Sequence, residues 1–158
     1  MTTNFATITE ISGQRISREQ LMRTCHRYHW ALQFANGKDV LEVACGSAQG
    51  LELLATRAKS IRAGDISDEV LQEARTTYGD RFDLQRFPAE KLPFTAQSFD
   101  VLILFEAIYY LNSEAFMKEA RRVLRPSGQL LLISANCALF DFIPSPYATR
   151  YFNSSELA

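Results

Sequence analysis

The sequence has little of what several functional classes require. Its 158 residues include two histidines, three cysteines and one tryptophan. Cys25, Cys45 and Cys137 are odd in number and far apart, which argues against a disulfide framework and a zinc site and suits a reduced, cytoplasmic setting. No metal site is expected. No apolar run approaches the ~20 residues that span a bilayer. The opening MTTNFATITE has neither the basic segment nor the apolar core of a secretion signal. Lys and Arg are scattered at a net charge of −1, so no basic stripe points to nucleic acid and no acidic block to a tail. Neither internal repeats nor low-complexity tracts occur. What remains, 47% hydrophobic and 22% charged, is the composition of one ordinary globular domain.

The apolar pattern alternates between helical and strand periods. Residues 1–16 read as a loose lead-in. Ser17 and Gln20 form a capping-box signature; Leu21, Cys25, Tyr28 and Leu32 follow at helical spacing, and Asn36-Gly37 is the left-handed stop. Lys38 to Val43 reads as a buried strand. A loop of small residues, Ala44 to Gly50, leads into a helix with Leu51, Leu54, Ala55 and Ala58 on its apolar stripe. Ser60 to Gly64 is a second strand that delivers Asp65. Ser67 caps a helix that buries Val70, Leu71 and Ala74 and closes at Gly79. Phe82 and Leu84 suit a third strand near a sheet edge.

Pro88 to Ser98 is a loop, and Phe99 to Phe105 is apolar enough for the centre of a parallel sheet. Phe116, Ala120, Val123 and Leu124 mark a helix entered through Asn112 or Ser113. Arg125 to Gly128 is a turn and Gln129 to Ser134 a fifth strand. This order predicts an α/β fold: a Rossmann-like, doubly wound, mostly parallel sheet with right-handed crossovers and helices on both faces.

Ligands of such sheets bind outside the carboxyl ends of the strands, so the loop after the first strand matters most. Small residues at 44, 46, 48 and 50 let backbone approach a ligand closely, and Gly46 can take positive φ. Asp65 ends the second strand about twenty residues on, where a carboxylate can accept two ribose hydroxyls. A dinucleotide fingerprint needs a third glycine where this chain has Gln49. Glu42 would also repel a pyrophosphate, whereas it suits a ligand bearing an ammonium and a sulfonium. These two features oppose a nicotinamide-dependent oxidoreductase.

At this point the chain resembles the small-molecule methyltransferases of the class I S-adenosylmethionine-dependent family. VLEVACGSAQG matches their acidic residue followed by G-x-G-x-G, with Ala44 and Ala48 in two glycine places. GDISDEVLQEAR, FPAEKLPFTAQSFDVLILFEAIYYL and EARRVLRPSGQLLLIS resemble, in order, the second-strand signature, the adenine loop with the fourth strand, and the helix, turn and fifth strand. The resemblance covers about residues 38 to 134. It implies S-adenosylmethionine as cofactor, S-adenosylhomocysteine as product and a small-molecule methyl acceptor, with no nucleic-acid or membrane partner. It divides the chain into a lead-in and lid helix (1–37), a cofactor-binding core (38–136) and a substrate-side segment (137–158).

The resemblance also assigns roles. Glu42 holds the methionine ammonium, directly or through water; its bland alternative is a solvent or helix-dipole carboxylate. Ala44, Cys45 and Gly46 form the close turn, Cys45 being simply a small residue the loop tolerates. Asp65 takes the ribose, against the alternative of a helix cap. Ile66 packs on one adenine face, although an Ile after a strand is more often core. Ala89 offers its N–H to the adenine ring, while Pro88 stands where many relatives carry a carboxylate. That lost hydrogen bond is worth ~1–2 kcal/mol.

The Phe105 carbonyl is a second partner for the ammonium, and Tyr28 or Arg27 could touch the methionine end. Glu106, Tyr109 and Tyr110 are the candidates for contact with the methyl group or acceptor, against the alternative of helix-end packing. No catalytic residue is assigned. His26 and His29 read as surface residues.

Family members continue beyond the fifth strand with a helix and an antiparallel strand pair, so the sheet is expected to lack its last two strands. LLLIS then becomes an apolar edge, residues 137–152 lose packing, and a homodimer across that edge is one compensation. Asn153 to Ala158 reads as a helix start. A cofactor-binding module or inactive remnant without turnover is the competing functional reading.

Overall fold

The structure is a computed structural model and describes residues 17–157; the expected lead-in lies outside them. In chain order come α1 (Arg18–Leu32), β1 (Asp39–Val43), α2 (Leu51–Ala55), β2 (Ser60–Asp65), α3 (Asp68–Tyr78) and β3 (Asp83–Arg86). β4 (Phe99–Phe105), α4 (Ser113–Val123) and β5 (Leu124–Ile133) follow. The five strands form one sheet in the order β3-β2-β1-β4-β5, and every pair is parallel. The sequence reverses its direction of winding at β1, which puts the crevice beside the ends of β1 and β4.

Strand periodicity decides which face each residue serves. Val40, Val101, Ile103 and Phe105 pack with Tyr28, Ala31 and Ala35, and Glu42, in register with Ile103, shares that face. Leu41, Val43, Leu102 and Leu104 point the other way, into a core with Phe116, Ala120 and Val123 of α4. A third cluster joins Leu71 and Ala74 of α3 to Ala63, Leu84 and Leu51. The two-faced covering predicted from sequence is present.

Some local expectations need correction. The buried stripe of α1 is Thr24, Tyr28 and Ala31, and Leu21 is exposed. Thr24 turns its hydroxyl onto the Gln20 carbonyl at 3.1 Å, so a polar residue sits inward without an unmet hydrogen bond. α1 ends at Leu32 rather than at Gly37, whose φ of 69° belongs to the following turn. α2 stops at Ala55, before Ala58. Ser67 makes no side-chain cap. Leu124 belongs to β5, not to the helix: it pairs with Phe99, Gln129 pairs with Val101, and Arg125 to Gly128 bulge out between them.

Among the described residues no strand covers the outer edge of β5, as expected. The following segment keeps more packing than expected, because Phe152 is buried in the α4-side core and bridges Asn136. Phe140 and Ile143 remain exposed. Asn153 and Glu156 exchange side-chain to backbone hydrogen bonds, the capping box of a single turn.

Candidate functional site

The loop after β1 is shaped by backbone conformation. Ala44, Gly46 and Ala48 have φ of 55°, 54° and 62°, so the places where glycines were looked for all lie in the left-handed region. Holding an alanine there costs about 1–2 kcal/mol. The loop is stitched to β2: Cys45 N–H donates to the Gly64 carbonyl at 3.1 Å, and Gly46 N–H donates to Asp65 Oδ2 at 3.0 Å. Asp65 Oδ1 accepts the Ser67 N–H at 3.0 Å. Asp65 therefore anchors the loop and fixes Ser67 at the entry to α3, without capping an amide of the helix itself. Burial pushes its carboxyl up, against the pull of the Ser67, Gly46 and Ile66 amides.

Glu42 is the most unusual group. It is 2% exposed, which removes the solvent-carboxylate alternative. Tyr28 reaches down from α1 and donates its hydroxyl to Oε1 at 2.6 Å, while Oε2 is buried with no hydrogen-bond partner. Desolvation raises its pKa to about 7, opposed by the Tyr28 hydrogen bond and the charge of Arg27 and reinforced by Asp65. Tyr28 fits because residue 50 is glycine: a Cβ there would stand 1.9 Å from the Tyr28 ring. Phe105 closes the other side, edge to face at 5.4 Å. The Cys45 thiol is buried and its pKa raised, first by desolvation and then by Glu42 and Asp65, so it behaves as a small apolar residue.

These groups open on a cavity of about 1000 Å³. Glu42, Ala44, Cys45, Gly46, Asp65, Ile66, Ala89 and Phe105 all line it, as do Glu106, Tyr109 and Tyr110. The eight expected cofactor contacts and the three expected acceptor contacts thus share one space. Ile66 is 43% exposed and belongs to the wall rather than to the core. Ala89 is buried beside Phe87, whose ring occupies the room left by Gly64. His26 also reaches the cavity lining, but His29 turns to the Cys25 carbonyl of its own helix.

At the far wall Glu106 holds a left-handed φ of 52° and accepts the Tyr109 hydroxyl at 3.3 Å. Burial, then the Glu106 charge, pushes the Tyr109 phenol up, so it stays neutral and donates. Tyr109 stacks on Tyr151 at 4.8 Å, and its carbonyl accepts the Thr149 N–H at 2.7 Å. The helix-end packing of the two tyrosines is therefore real, with ring centroids 4.6 Å apart. Phe142 packs on Tyr151 and lines the cavity.

Sequence reasoning missed three features: the Tyr28–Glu42 bond, Gly50 as the seat of the Tyr28 ring, and the wall formed by Phe142 with Tyr151 packed behind it. The first two had a faint signal in a small residue beyond the expected glycines. The third had only aromatic enrichment.

The profile of a family described as a methyltransferase domain matches residues 41–132, more than half of the chain. A probable S-adenosylmethionine-dependent methyltransferase of Mycolicibacterium smegmatis is 34% identical over 126 residues, 77% of this chain and 49% of that protein. A phthiotriol/phenolphthiotriol dimycocerosates methyltransferase of Mycobacterium ulcerans is 36% identical over 103 residues, covering 61% and 37%. The crystal structure of a protein from Pyrococcus horikoshii superposes with a TM-score of 0.67 at 26% identity, covering 82% of this chain and 62% of that one. The chain spans about half the length of the curated relatives it matches. The cofactor this likeness implies is S-adenosylmethionine, with S-adenosylhomocysteine as product. The chain belongs to the class I S-adenosylmethionine-dependent methyltransferase family.

Proposed function

We propose that the cavity binds S-adenosylmethionine and that the protein directs its methyl group to a small-molecule acceptor. The observation that carries this reading is Glu42 Oε2, buried at the cavity with no partner. An unpaired buried carboxylate is costly, and a ligand ammonium is the group that relieves it. The other residues fit the same ligand. Asp65 uses two oxygens on backbone amides and retains lone pairs for the ribose hydroxyls. Ile66 offers an apolar surface to adenine, Ala89 its N–H, and Phe105 a carbonyl beside the ammonium. Ala44, Cys45 and Gly46 supply a wall without bulky side chains.

When bound, the cofactor supplies a methyl group on a sulfonium that is already its own leaving group. The chain's residues bind, orient and exclude water. Tyr109 keeps its proton and donates a hydrogen bond to Glu106, and Glu106 is the candidate proton acceptor for an incoming molecule that must lose one. A small acceptor is supported by the aromatic wall of Tyr109, Tyr110 and Phe142 and by the relative named for phthiotriol and phenolphthiotriol dimycocerosates.

A second reading, binding without turnover, is favoured by Pro88, which cannot accept a hydrogen bond from the adenine amino group through its side chain. Calorimetric titration with S-adenosylhomocysteine tests the site. Micromolar affinity, about −8 kcal/mol, that disappears in Asp65→Ala supports it; a folded protein that does not bind overturns it. Binding with no methyl transfer to any acceptor supports the second reading.

A further inference from the structure

Tyr28 belongs to α1, fourteen residues before its partner, and its placement is over-determined. The ring is 6% exposed, lies where only a glycine at position 50 leaves room, and rests edge-on against Phe105. Its hydroxyl is then delivered to Glu42 Oε1 at 2.6 Å, leaving Oε2 as the one carboxylate oxygen still without a partner. We propose that Tyr28 is a positioning and specificity-determining residue: it holds Glu42 so that a single anionic oxygen meets the ligand, and thereby sets the preference for a nucleoside that carries an ammonium. This rests on the cofactor reading above.

A carboxylate can present two oxygens, and a free side chain can rotate either away from the cavity. Donation to Oε1 removes both freedoms, because it fixes the rotamer and satisfies one oxygen from the protein side. It also favours the anion over the neutral acid. The charged and titratable groups facing Glu42 are Tyr28 and Arg27 from α1, Cys45 from the loop and Asp65 from the end of β2; β4 brings apolar Ile103 and Phe105. The Tyr28 hydroxyl and the Cys45 thiol are both pushed up by burial and stay neutral. Of these three, Glu42, raised to about 7, is the one whose charge changes near neutrality. Below that value the site presents a neutral acid to an ammonium; above it, an anion.

The test is Tyr28→Phe, which keeps the ring and removes only the donor. Three readouts separate positioning from mere packing. The Glu42 carboxyl, followed by ¹³C NMR without ligand, should titrate about one pH unit higher in the variant. The affinity for S-adenosylhomocysteine at pH 7 should fall about tenfold and recover most of that loss at pH 8.5. Its preference over 5′-methylthioadenosine, which has the adenine, ribose and sulfur but no ammonium, should fall by the same factor. An unmoved Glu42 titration, or equal losses for both nucleosides at every pH, overturns the proposal.

If Tyr28→Phe does not fold, the unaltered protein decides. The Tyr28 Cζ resonance must then move with the midpoint of the Glu42 carboxyl, and independent behaviour overturns the proposal. Failure of the unaltered protein to bind S-adenosylhomocysteine counts against the cofactor reading instead, since the ligand-free titration stands apart from it.

Discussion

Asp39 and Glu42 lie three residues apart on β1 and meet opposite fates. At the amino end of the sheet, Asp39 accepts from Ser60 at 2.8 Å and pairs with Arg125 at 3.0 Å and Lys59 at 3.4 Å. Asp100 joins it there, accepting the Asp39 N–H at 2.9 Å and pairing with Arg125 at 2.8 Å. Hydrogen bonding holds both carboxyls below their ordinary range: Ser60, then Arg125 and Lys59, for Asp39; the Asp39 amide, then Arg125, for Asp100. At the carboxyl end Glu42 and Asp65 are buried and raised, with desolvation the leading cause. One end spends its acids on closing the fold against solvent. The other keeps an acid oxygen unmet and buried, which has no purpose in the ligand-free protein. The contrast, more than the presence of acids, marks the carboxyl end as the candidate site.

The largest effect that would break this comparison comes from Glu42→Gln. Glu42 has a folded pKa near 7 against an ordinary 4.5, so the folded state holds its proton more tightly than the unfolded chain. The ligand-free fold is therefore favoured below pH 4.5, loses that advantage as pH rises toward 7, and stays at the lower level above it. Glutamine removes the penalty. The variant should be more stable than the parent at pH 8 by about 2–3 kcal/mol, with the gap closing by pH 4. S-adenosylhomocysteine affinity at pH 8 should meanwhile fall about 30-fold, ~2 kcal/mol. Thermal melts across pH and calorimetry read the two effects. Loss of stability at pH 8 would mean that Glu42 is structural, like Asp39.

Asp100→Asn tests the other end. Its lowered pKa means that the stabilisation is present above the ordinary 3.8 and is lost as pH falls below it. The group is partly exposed, so the cost at pH 7 should be about 0.5–1 kcal/mol, shrinking in 1 M salt as screening grows. S-adenosylhomocysteine affinity should not change. A change in affinity would show that the two ends are coupled through β4, and the division of labour would fail.

How much of this was legible in the sequence follows from which interactions are local. The alternation of strand and helix periods, and the loop of small residues between an acidic strand and Asp65, depend on neighbours in the chain; they yielded the fold class and the position of the crevice. Thr24 escaped because its hydroxyl is hidden in its own helix, a route to burial that an apolar count cannot register. The turn at Arg125 to Gly128 was legible, but the pairing of Leu124 with Phe99 before it was not, because Leu124 continues the apolar stripe of α4 and only the sheet register assigns it to β5. The Tyr28–Glu42 bond needed the sheet face of Glu42, the phase of α1 and the vacancy at Gly50 together. Tyr151 under Tyr109 needed the path of a segment with almost no regular structure.

The smallest effect sharpens the comparison at the level of backbone. Ala44 at the site end and Gln97, just before β4 at the other, share a φ of 55°. Glycine at either position relieves left-handed strain of about 1–2 kcal/mol, less about 0.5–1 kcal/mol for the added freedom of the unfolded chain. Both variants should therefore melt slightly higher, by about 0.5 kcal/mol. They should differ in binding. Ala44→Gly loosens a wall that the ligand needs preorganised and should weaken S-adenosylhomocysteine about twofold to threefold, whereas Gln97→Gly, exposed beside the Arg122 carbonyl that its N–H reaches, should leave it unchanged. Equal binding by the two would mean that the strained alanine is inherited from the loop's path alone, and that its stiffness contributes nothing to recognition.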